Sequence, residues 1–349
     1  MIHRSGKRFR RLAGVALAAA AAMLIGSGAA MAKTPLVVYT ALEDEQLPVF
    51  KKAFEAANPD IEIKWVRDST GPITARLLAE KGNRQADAVW GLAASSLLLL
   101  DKEGLLEGYS PAGVDKLKPS FVDAAKPPKW VGMDAWASAI CFNTAEAKAH
   151  NVPEPTSWAD LLKPVYADMI VMPNPASSGT GYLTVSAILQ IMGEEKGWAY
   201  LDALNKNMKT YLHSGSKPCV KAGEGEYVMG ISFAYRGVQE KNKGAPLDII
   251  LPSEGIGWDM EATAIMKGTP HLDAAKKLAD FAASKEANAM YNESYSVLAY
   301  PGIAKPIANY PADEEKLMIK NDFAWAAANR ERILAEWEKR YGSKNAPKS

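Results

Sequence analysis

The sequence predicts an α/β fold of two doubly wound lobes joined by a two-strand hinge. Short apolar runs alternate with amphipathic stretches along the chain, which is typical of parallel strands with crossover helices. Two such sets follow each other, and two candidate crossing segments lie near 133–140 and 255–262. A second lobe inserted into the first explains two crossings. We therefore expect lobe 1 to comprise residues 33–135 and 260–349, and lobe 2 to comprise residues 136–259.

In the first lobe, three apolar runs each precede an amphipathic stretch. Pro72 near the start of the second stretch and Gly82 after its end are typical helix boundaries. The predicted strands are 36–40, 61–68 and 86–91, and the predicted helices are 45–59, 71–82 and 95–106.

The second lobe begins with a strand that leaves the first sheet, and the chain ends in helices. Strands are predicted at 136–144, 167–175, 209–215 and 226–235, with a helix at 182–193. Residues 247–266 have the pattern of strand, turn and strand, and helices are predicted at 271–284 and from 314 to 340.

The N-terminus has the pattern of a cleavable secretory signal over residues 1–32. A basic stretch without acids is followed by an apolar run over 12–25 and by Ala30-Met31-Ala32, after which cleavage is expected. The apolar run is shorter than the roughly 18–20 residues that span a bilayer. We therefore expect export to the periplasm rather than a membrane anchor.

Removal of this segment changes the charge balance. It holds five of the 41 basic residues and none of the 40 acidic ones, so the remainder has 36 basic residues against 40 acidic ones. A mildly acidic protein lacks the basic face that a nucleic-acid partner requires. We expect a monomer that binds no nucleic acid.

Two cysteines, Cys141 and Cys219, remain in the exported chain. Exported proteins rarely leave paired thiols unoxidised, which favours a disulfide between them. The alternative is a pair of buried, unbonded thiols, and the distance between them decides between the two.

Motifs for catalysis and metal binding are missing from the sequence. It contains no HExxH, CxxC, G-x-S-x-G or GxxxxGK[ST], which are the spacings of common metal, nucleophile and nucleotide sites. We therefore expect a protein that is not an enzyme and has no cofactor or metal ion.

Hydroxyl-bearing residues follow several predicted strands, at the points where helices begin. In a parallel sheet these junctions share the edge where ligands bind, and unpaired N–H groups at helix N-termini favour an anion. The candidate ligand-binding residues at these junctions are Tyr39, Thr40, Ser69, Thr70, Ser95, Ser177, Ser178, Gly179 and Thr180.

Each junction has an alternative interpretation as an ordinary helix cap. The loop that ends in Ser178-Gly179-Thr180-Gly181 is more specific, because two glycines allow the backbone to approach a bound group closely.

Other side chains could contact a ligand. Glu43, Asp68, Asp259 and Glu261 could hold a cation, and Tyr235 or Trp258 could wall a pocket, although exposed carboxylates are usually only solvated. Trp90 and Trp136 are better explained as core residues.

Long segments of the chain resemble the periplasmic binding proteins of ABC importers. The similarity is to their ferric-ion-binding-like branch and, within it, to the 2-aminoethylphosphonate-binding proteins. It is carried by VVYTALEDEQLPVFKKAFEAANPDIEI, RDSTGPITARLLAEKGNRQADAVWG, DKEGLLEGY, NPASSGTGYLTVSAILQIMGEEKGWAYLDALNKNM, EGEYVMGISFAYRG and AIMKGTPHLDAAKKLADF. The resemblance implies a periplasmic binding protein fold of type II, lobes that close on a ligand, and delivery to an inner-membrane permease.

The chain departs from the iron-binding members of that branch. Of their tyrosine pair only Tyr235 remains, preceded by Ala234, and Glu43 stands where they carry a histidine. Fe³⁺ requires several anionic oxygen ligands. The resemblance and these departures together predict 2-aminoethylphosphonate as the ligand, its phosphonate on the junction hydroxyls and its ammonium on Glu43 or Asp259, beside Tyr235 or Trp258.

Two alternatives stay open. The chain could carry another small anion, such as a phosphate ester or a ferric-anion complex. It could also be a secreted phosphonate hydrolase, which the missing nucleophile and metal motifs disfavour.

Overall fold

The computed structural model describes residues 32–347, and the predicted signal segment through Met31 lies outside them. Eleven strands are found in the described part of the chain. They are β1 (Thr34–Thr40), β2 (Ile61–Arg67), β3 (Ala88–Ala93), β4 (Leu106–Glu107), β5 (Val131–Asn143), β6 (Ile170–Pro173), β7 (Met208–Leu212), β8 (Met229–Phe233), β9 (Leu247–Ile250), β10 (Trp258–Met266) and β11 (Val297–Leu298).

Twelve α-helices in the same part of the chain connect and cover these strands. They are α1 (Leu47–Ala57), α2 (Thr70–Ala79), α3 (Ala94–Lys102), α4 (Thr144–His150), α5 (Gly179–Met192), α6 (Glu194–Asn207), α7 (Lys217–Gly223), α8 (Ala234–Asn242), α9 (Leu272–Ala282), α10 (Lys285–Tyr291), α11 (Glu314–Leu317) and α12 (Phe323–Tyr341). None of the helices within residues 32–347 combines the length and apolar character that a bilayer-spanning segment needs.

The strands form one mixed sheet in the order β2-β1-β3-β10-β5-β8-β6-β7. The parallel pairs β1–β2, β1–β3, β6–β7 and β6–β8 lie at its two ends, and the antiparallel strands β10 and β5 lie between them. The predicted α/β class is confirmed. β1, β2 and β3 each lead into a helix, so their carboxyl ends meet at one edge.

The long strand β5 crosses between the two halves of the sheet. Its first half pairs with β10, and its second half, from Ser138, pairs with β8 and β9. The returning chain runs antiparallel beside it, since the Ser138 amide donates to the Gly257 carbonyl at 2.7 Å. The two crossing segments therefore lie side by side.

Two helices differ in extent from their predictions. The helix expected at 95–106 ends at Lys102, since Gly104 adopts a positive φ of 70° and the chain then enters β4. The helix expected from 314 to 340 is divided in two. Between the parts, the Ile256 amide donates to the Leu317 carbonyl at 2.8 Å, so the chain there pairs with the second crossing segment instead of continuing the helix.

Helix α12 packs against the core around β6, β7 and β8. Ile333, Trp337 and Tyr341 belong to that core, and the Trp337 ring meets Tyr211 at 4.9 Å. The helix also contacts α3. We therefore propose that α12 associates with lobe 2, whereas we had expected all of residues 260–349 in lobe 1.

Cys141 on β5 and Cys219 on α7 form a disulfide, with their Cα atoms 5.3 Å apart. Both are fully buried in a small cluster with Ala222 and Leu247. The predicted bond is therefore present.

Candidate functional site

A cleft of about 510 Å³, including its opening to solvent, lies where the N-termini of α2 and α5 meet. Both helices follow strands, so each points its N-terminus to the cleft. The lining residues are Ala41, Glu43, Arg67, Ser69, Thr70, Gly91, Ala93, Trp136, Ser178, Gly179, Thr180, Ser214, Gly215, Phe233, Glu261 and Tyr295.

The α2 side of the cleft begins with Ser69. Its backbone is extended, and its side chain makes no capping hydrogen bond. Thr70 follows in the first turn, and its hydroxyl oxygen would lie 2.5 Å from a Cβ atom added at Gly179. The hydroxyl of Ser69 is thus not occupied by the cap that explains most serines at this position.

The α5 side carries the glycine-bracketed loop. Ser178 is the N-cap, and its hydroxyl accepts a hydrogen bond from the Gly181 amide at 3.2 Å. A Cβ at Gly181 would lie 2.6 Å from the Pro173 carbonyl oxygen. Ser178 therefore has a structural role as well as a place in the cleft, and Thr180 lines the cleft beside it.

The two helix starts touch directly. The Gly71 amide donates to the Ser177 carbonyl at 3.0 Å, and a Cβ at Gly71 would lie 2.1 Å from the Ala176 carbonyl oxygen. Only glycine fits at this approach.

Arg67, the last residue of β2, lines the cleft although the sequence analysis did not single it out. Its Nε donates to the Leu42 carbonyl at 2.9 Å, and its Nη2 lies 3.6 Å from Glu43. Its position directly before Asp68-Ser69 was the available signal, since it places the side chain at the ligand-binding edge.

Glu43 is held by two arginines. Arg236 Nη2 donates to its carboxylate at 2.8 Å, and Arg67 approaches from the other side. Burial raises the pKa of Glu43 and both arginines lower it. This carboxylate already has cationic partners within the protein, so it is poorly suited to hold a ligand ammonium.

At the third junction, the start of α3 is occupied by the Asp259 carboxylate of the protein itself. Ser95 donates to the Asp259 carboxylate at 2.5 Å, and the backbone amides of Ala94 and Ser95 also bond to it. These hydrogen bonds lower the pKa of Asp259, but burial outweighs them and raises it to about 6. Asp259 caps α3 from β10, and neither it nor Ser95 lines the cleft.

Two candidates at the end of β1 are also bonded elsewhere. The Tyr39 hydroxyl donates to Glu80 at 2.8 Å, and the Thr40 hydroxyl accepts from the Leu42 amide at 3.1 Å. Both side chains are fully buried outside the cleft lining.

The remaining candidates lie outside the cleft lining. Ser177 donates to the His213 carbonyl at 2.7 Å, and Trp258 Nε1 donates to the Ile319 carbonyl at 2.8 Å. The Tyr235 hydroxyl accepts from the Gln239 side chain.

Aromatic residues and the carboxyl group of Glu261 form another part of the lining. The sequence analysis named Glu261 and Trp136 but not Phe233 or Tyr295. Trp136 and Phe233 lie there, beside Tyr295, whose hydroxyl donates to Glu261 at 3.2 Å. Trp136 is buried as expected of a core residue, yet it also faces the cleft. Burial raises the pKa of Glu261 to about 8.

The chain is similar to known transport proteins over most of its length. It is 27% identical over 332 residues to the "Probable ABC transporter periplasmic-binding protein" of Sinorhizobium fredii, which covers 92% of this chain and 89% of that one. It is 23% identical over 288 residues to the "Putative 2-aminoethylphosphonate-binding periplasmic protein" of Salmonella paratyphi A, covering 79% and 82%.

Among solved structures, the chain matches the periplasmic binding protein AfuA from Actinobacillus pleuropneumoniae with bound fructose-6-phosphate. The TM-score is 0.83 at 29% identity, over 89% of this chain and 99% of that one. This match confirms the periplasmic binding protein fold of type II.

The family model for bacterial extracellular solute-binding proteins matches residues 93–330. Solute-binding proteins of this kind bind a small molecule, pass it to an ABC permease and are not enzymes. The chain belongs to the bacterial extracellular solute-binding protein family and is the substrate-binding component of a periplasmic ABC importer.

Proposed function

We propose that the cleft binds a small phosphonate or phosphate monoester, with 2-aminoethylphosphonate as the preferred ligand. The observation that carries this proposal is the meeting of two helix N-termini, those of α2 and α5, in one cleft lined by hydroxyl groups. Helix N-termini present N–H groups and the positive end of the helix dipole, which together favour a multiply charged oxyanion.

The side chains around these two helix starts suit a tetrahedral oxyanion. Hydroxyl groups of Ser69, Thr70 and Thr180 can donate hydrogen bonds, and Arg67 supplies a guanidinium group. Hydrogen bonds to ionised oxygens are shorter and stronger than those between neutral groups. In this proposal the anion takes the position between α2 and α5, and Arg67 offsets part of its charge.

Two similar proteins support a ligand that carries phosphorus. One solved structure contains fructose-6-phosphate, and another relative is named for 2-aminoethylphosphonate. Ferric iron is less well supported, because only Tyr235 remains of the tyrosine pair that iron-binding members carry. The described residues also contain no group of three or more His, Cys, Asp or Glu side chains arranged for a metal ion.

We further propose that the two lobes open and close about the paired crossing segments of β5 and β10. Their side-by-side course provides two strands that can bend together. The Gly71–Ser177 backbone contact then joins the two sides of the cleft in the closed arrangement.

Isothermal titration calorimetry with 2-aminoethylphosphonate, ethylphosphonate, a hexose phosphate and ferric citrate tests the proposal. We expect phosphonates or phosphate esters to bind, and Ser69→Ala to weaken that binding by about tenfold, the cost of one hydrogen bond to a charged group. The stability of the empty protein should hardly change, because Ser69 makes no capping bond.

Ser284→Ala is the matched control. Ser284 caps α10 by accepting from the Ala287 amide at 3.1 Å, away from the cleft. Its replacement should lower the free energy of unfolding by about 1 kcal/mol and leave binding unchanged. If none of the phosphorus compounds binds, or if ferric citrate alone binds, the proposed ligand class is wrong.

A further inference from the structure

Two carboxyl groups lie opposite each other on the crossing strands β10 and β5. Glu261 on β10 is directly opposite Asp134 on β5 in the antiparallel register. Asp134 is completely buried, and Glu261 is 8% exposed and lines the cleft. The pair therefore belongs to the crossing strands, with one member in contact with the ligand space.

Hydrogen bonding leaves this pair incompletely satisfied. Glu261 Oε1 accepts from the Tyr295 hydroxyl at 3.2 Å. Glu261 Oε2 and both oxygens of Asp134 receive no hydrogen bond from any other group of the described chain, and the two carboxyl groups are in hydrogen-bond contact with each other. Buried polar groups are normally paired, and a proton shared between the two acids is the partner that the described chain itself supplies.

No cation of the protein compensates the pair within residues 32–347. The ionisable groups that act on Glu261 are Tyr295, Glu43 and Asp134, and the one that acts on Asp134 is Glu261. Besides burial, the charges of these acids raise the pKa of Tyr291, and that of Asp134 raises the pKa of Tyr310, but the two hydroxyls donate to the Ala282 carbonyl and to Glu314. The two nearby arginines, described above, are bonded to Glu43 instead.

The empty pair consequently retains a proton. Burial and, to a smaller extent, repulsion by the Glu261 charge raise the pKa of Asp134 well above its ordinary value. Burial raises the pKa of Glu261 to about 8. An uncompensated buried carboxylate is costly, and protonation relieves that cost.

The surroundings of Glu261 differ chemically from the anion end of the cleft. Trp136, Phe233 and Tyr295 line the cleft together with it. A carboxylate next to aromatic faces is the combination that recognises an ammonium group. Hydroxyl groups and helix N-termini belong to the same lining, so one cleft offers groups suited to either charge.

We propose that Glu261, with Asp134 behind it, receives the ammonium group of a zwitterionic solute whose anionic end lies at α2 and α5. The solute class is an aminoalkyl phosphonate or aminoalkyl phosphate. This inference rests on the proposed function and assigns the cation end to a residue different from Glu43 and Asp259, which have partners of their own.

Binding of the ammonium group also moves a proton. The ligand keeps its ammonium proton, Glu261 changes from the carboxylic acid to the carboxylate, and the released proton goes to solvent. Because the ammonium group favours the carboxylate, the pKa of Glu261 falls in the complex. Affinity for an amino ligand therefore rises with pH up to about 8, which is the pKa of Glu261 in the empty protein.

Three ligands of matched shape test this inference: 2-aminoethylphosphonate, 2-hydroxyethylphosphonate and ethylphosphonate. We expect wild-type protein to prefer the amino compound over ethylphosphonate by at least about tenfold at pH 8. Glu261→Gln should abolish that preference while retaining ethylphosphonate binding. Calorimetry in buffers of different ionisation enthalpy should show more proton release for wild type than for Glu261→Gln with the amino compound at pH 7.

Asp134→Asn serves as the second variant. The asparagine amide can donate to Glu261, so the variant should retain the preference for the amino compound and release fewer protons than wild type. Equal binding of the amino and hydroxyl compounds by wild type, or an unchanged preference in Glu261→Gln, would overturn the inference while leaving the anion site intact. If Glu261→Gln does not fold, the wild-type preference and its proton release still decide the question.

Discussion

Gly71→Ala is expected to weaken ligand binding by about 10- to 100-fold. An added Cβ would lie 2.1 Å from the Ala176 carbonyl oxygen and 2.8 Å from the Ser177 Cα atom. These are backbone atoms, so the cleft could close only with a strain of about 1–3 kcal/mol. Opening of the lobes relieves the contact, so the empty protein should lose little stability. Calorimetry and thermal unfolding of the empty protein measure the two effects separately.

Gly82→Ala is the matched control for this substitution. Nothing lies within 4 Å of a Cβ added there, and Gly82 has no positive φ. We expect unchanged binding and stability. If Gly71→Ala instead unfolds the empty protein readily and the remaining folded protein binds normally, then α2 and α5 stay in contact in both states. The proposed closure would then be wrong.

Removal of the disulfide is expected to have the largest effect on stability. Cys141 and Cys219 are 78 residues apart, and a cross-link that closes a loop of this length restricts the unfolded chain considerably. Replacing both by alanine should lower the free energy of unfolding by about 4 kcal/mol. Urea denaturation under oxidising conditions measures this difference.

The control is wild-type protein unfolded in the presence of a reductant, which should approach the stability of the double alanine variant. Each alanine also removes a buried sulfur, a smaller loss that reduction does not cause. A double variant as stable as oxidised wild type would show that the cross-link has little influence on the unfolded state.

The hydroxyl groups that we propose to bind the anion could be predicted in part from local sequence. Ser69, Thr70 and the loop Ser178–Thr180 directly follow or begin predicted elements, and helix N-termini have the same chemistry in any fold. These residues line the cleft, whereas Tyr39, Thr40, Ser95 and Ser177, chosen by the same rule, do not. Their selection required only the strand and helix pattern and the rule that parallel strands end at one edge.

Local sequence named several carboxylates for the proposed ammonium site but could not choose among them, because their partners within the protein are distant in sequence. Ser95 and Asp259 are 164 residues apart, and Glu43 and Arg236 are 193 apart. In sequence, Asp259 and Glu43 both look available for a ligand, but in the fold each has a partner within the protein. Glu261 stands out for the opposite reason, since the fold brings it a second acid and no cation.

The sequence by itself determined the α/β class, the two crossing segments and the helix starts that line the cleft. These depend on hydrophobic periodicity and on glycine, proline and hydroxyl residues that act within a few positions of each other. Only the tertiary structure decided which charged groups are satisfied within the protein. Ion pairs and burial join residues from separate strands and helices, and their effect on a carboxyl group depends on distance and exposure, not on sequence spacing.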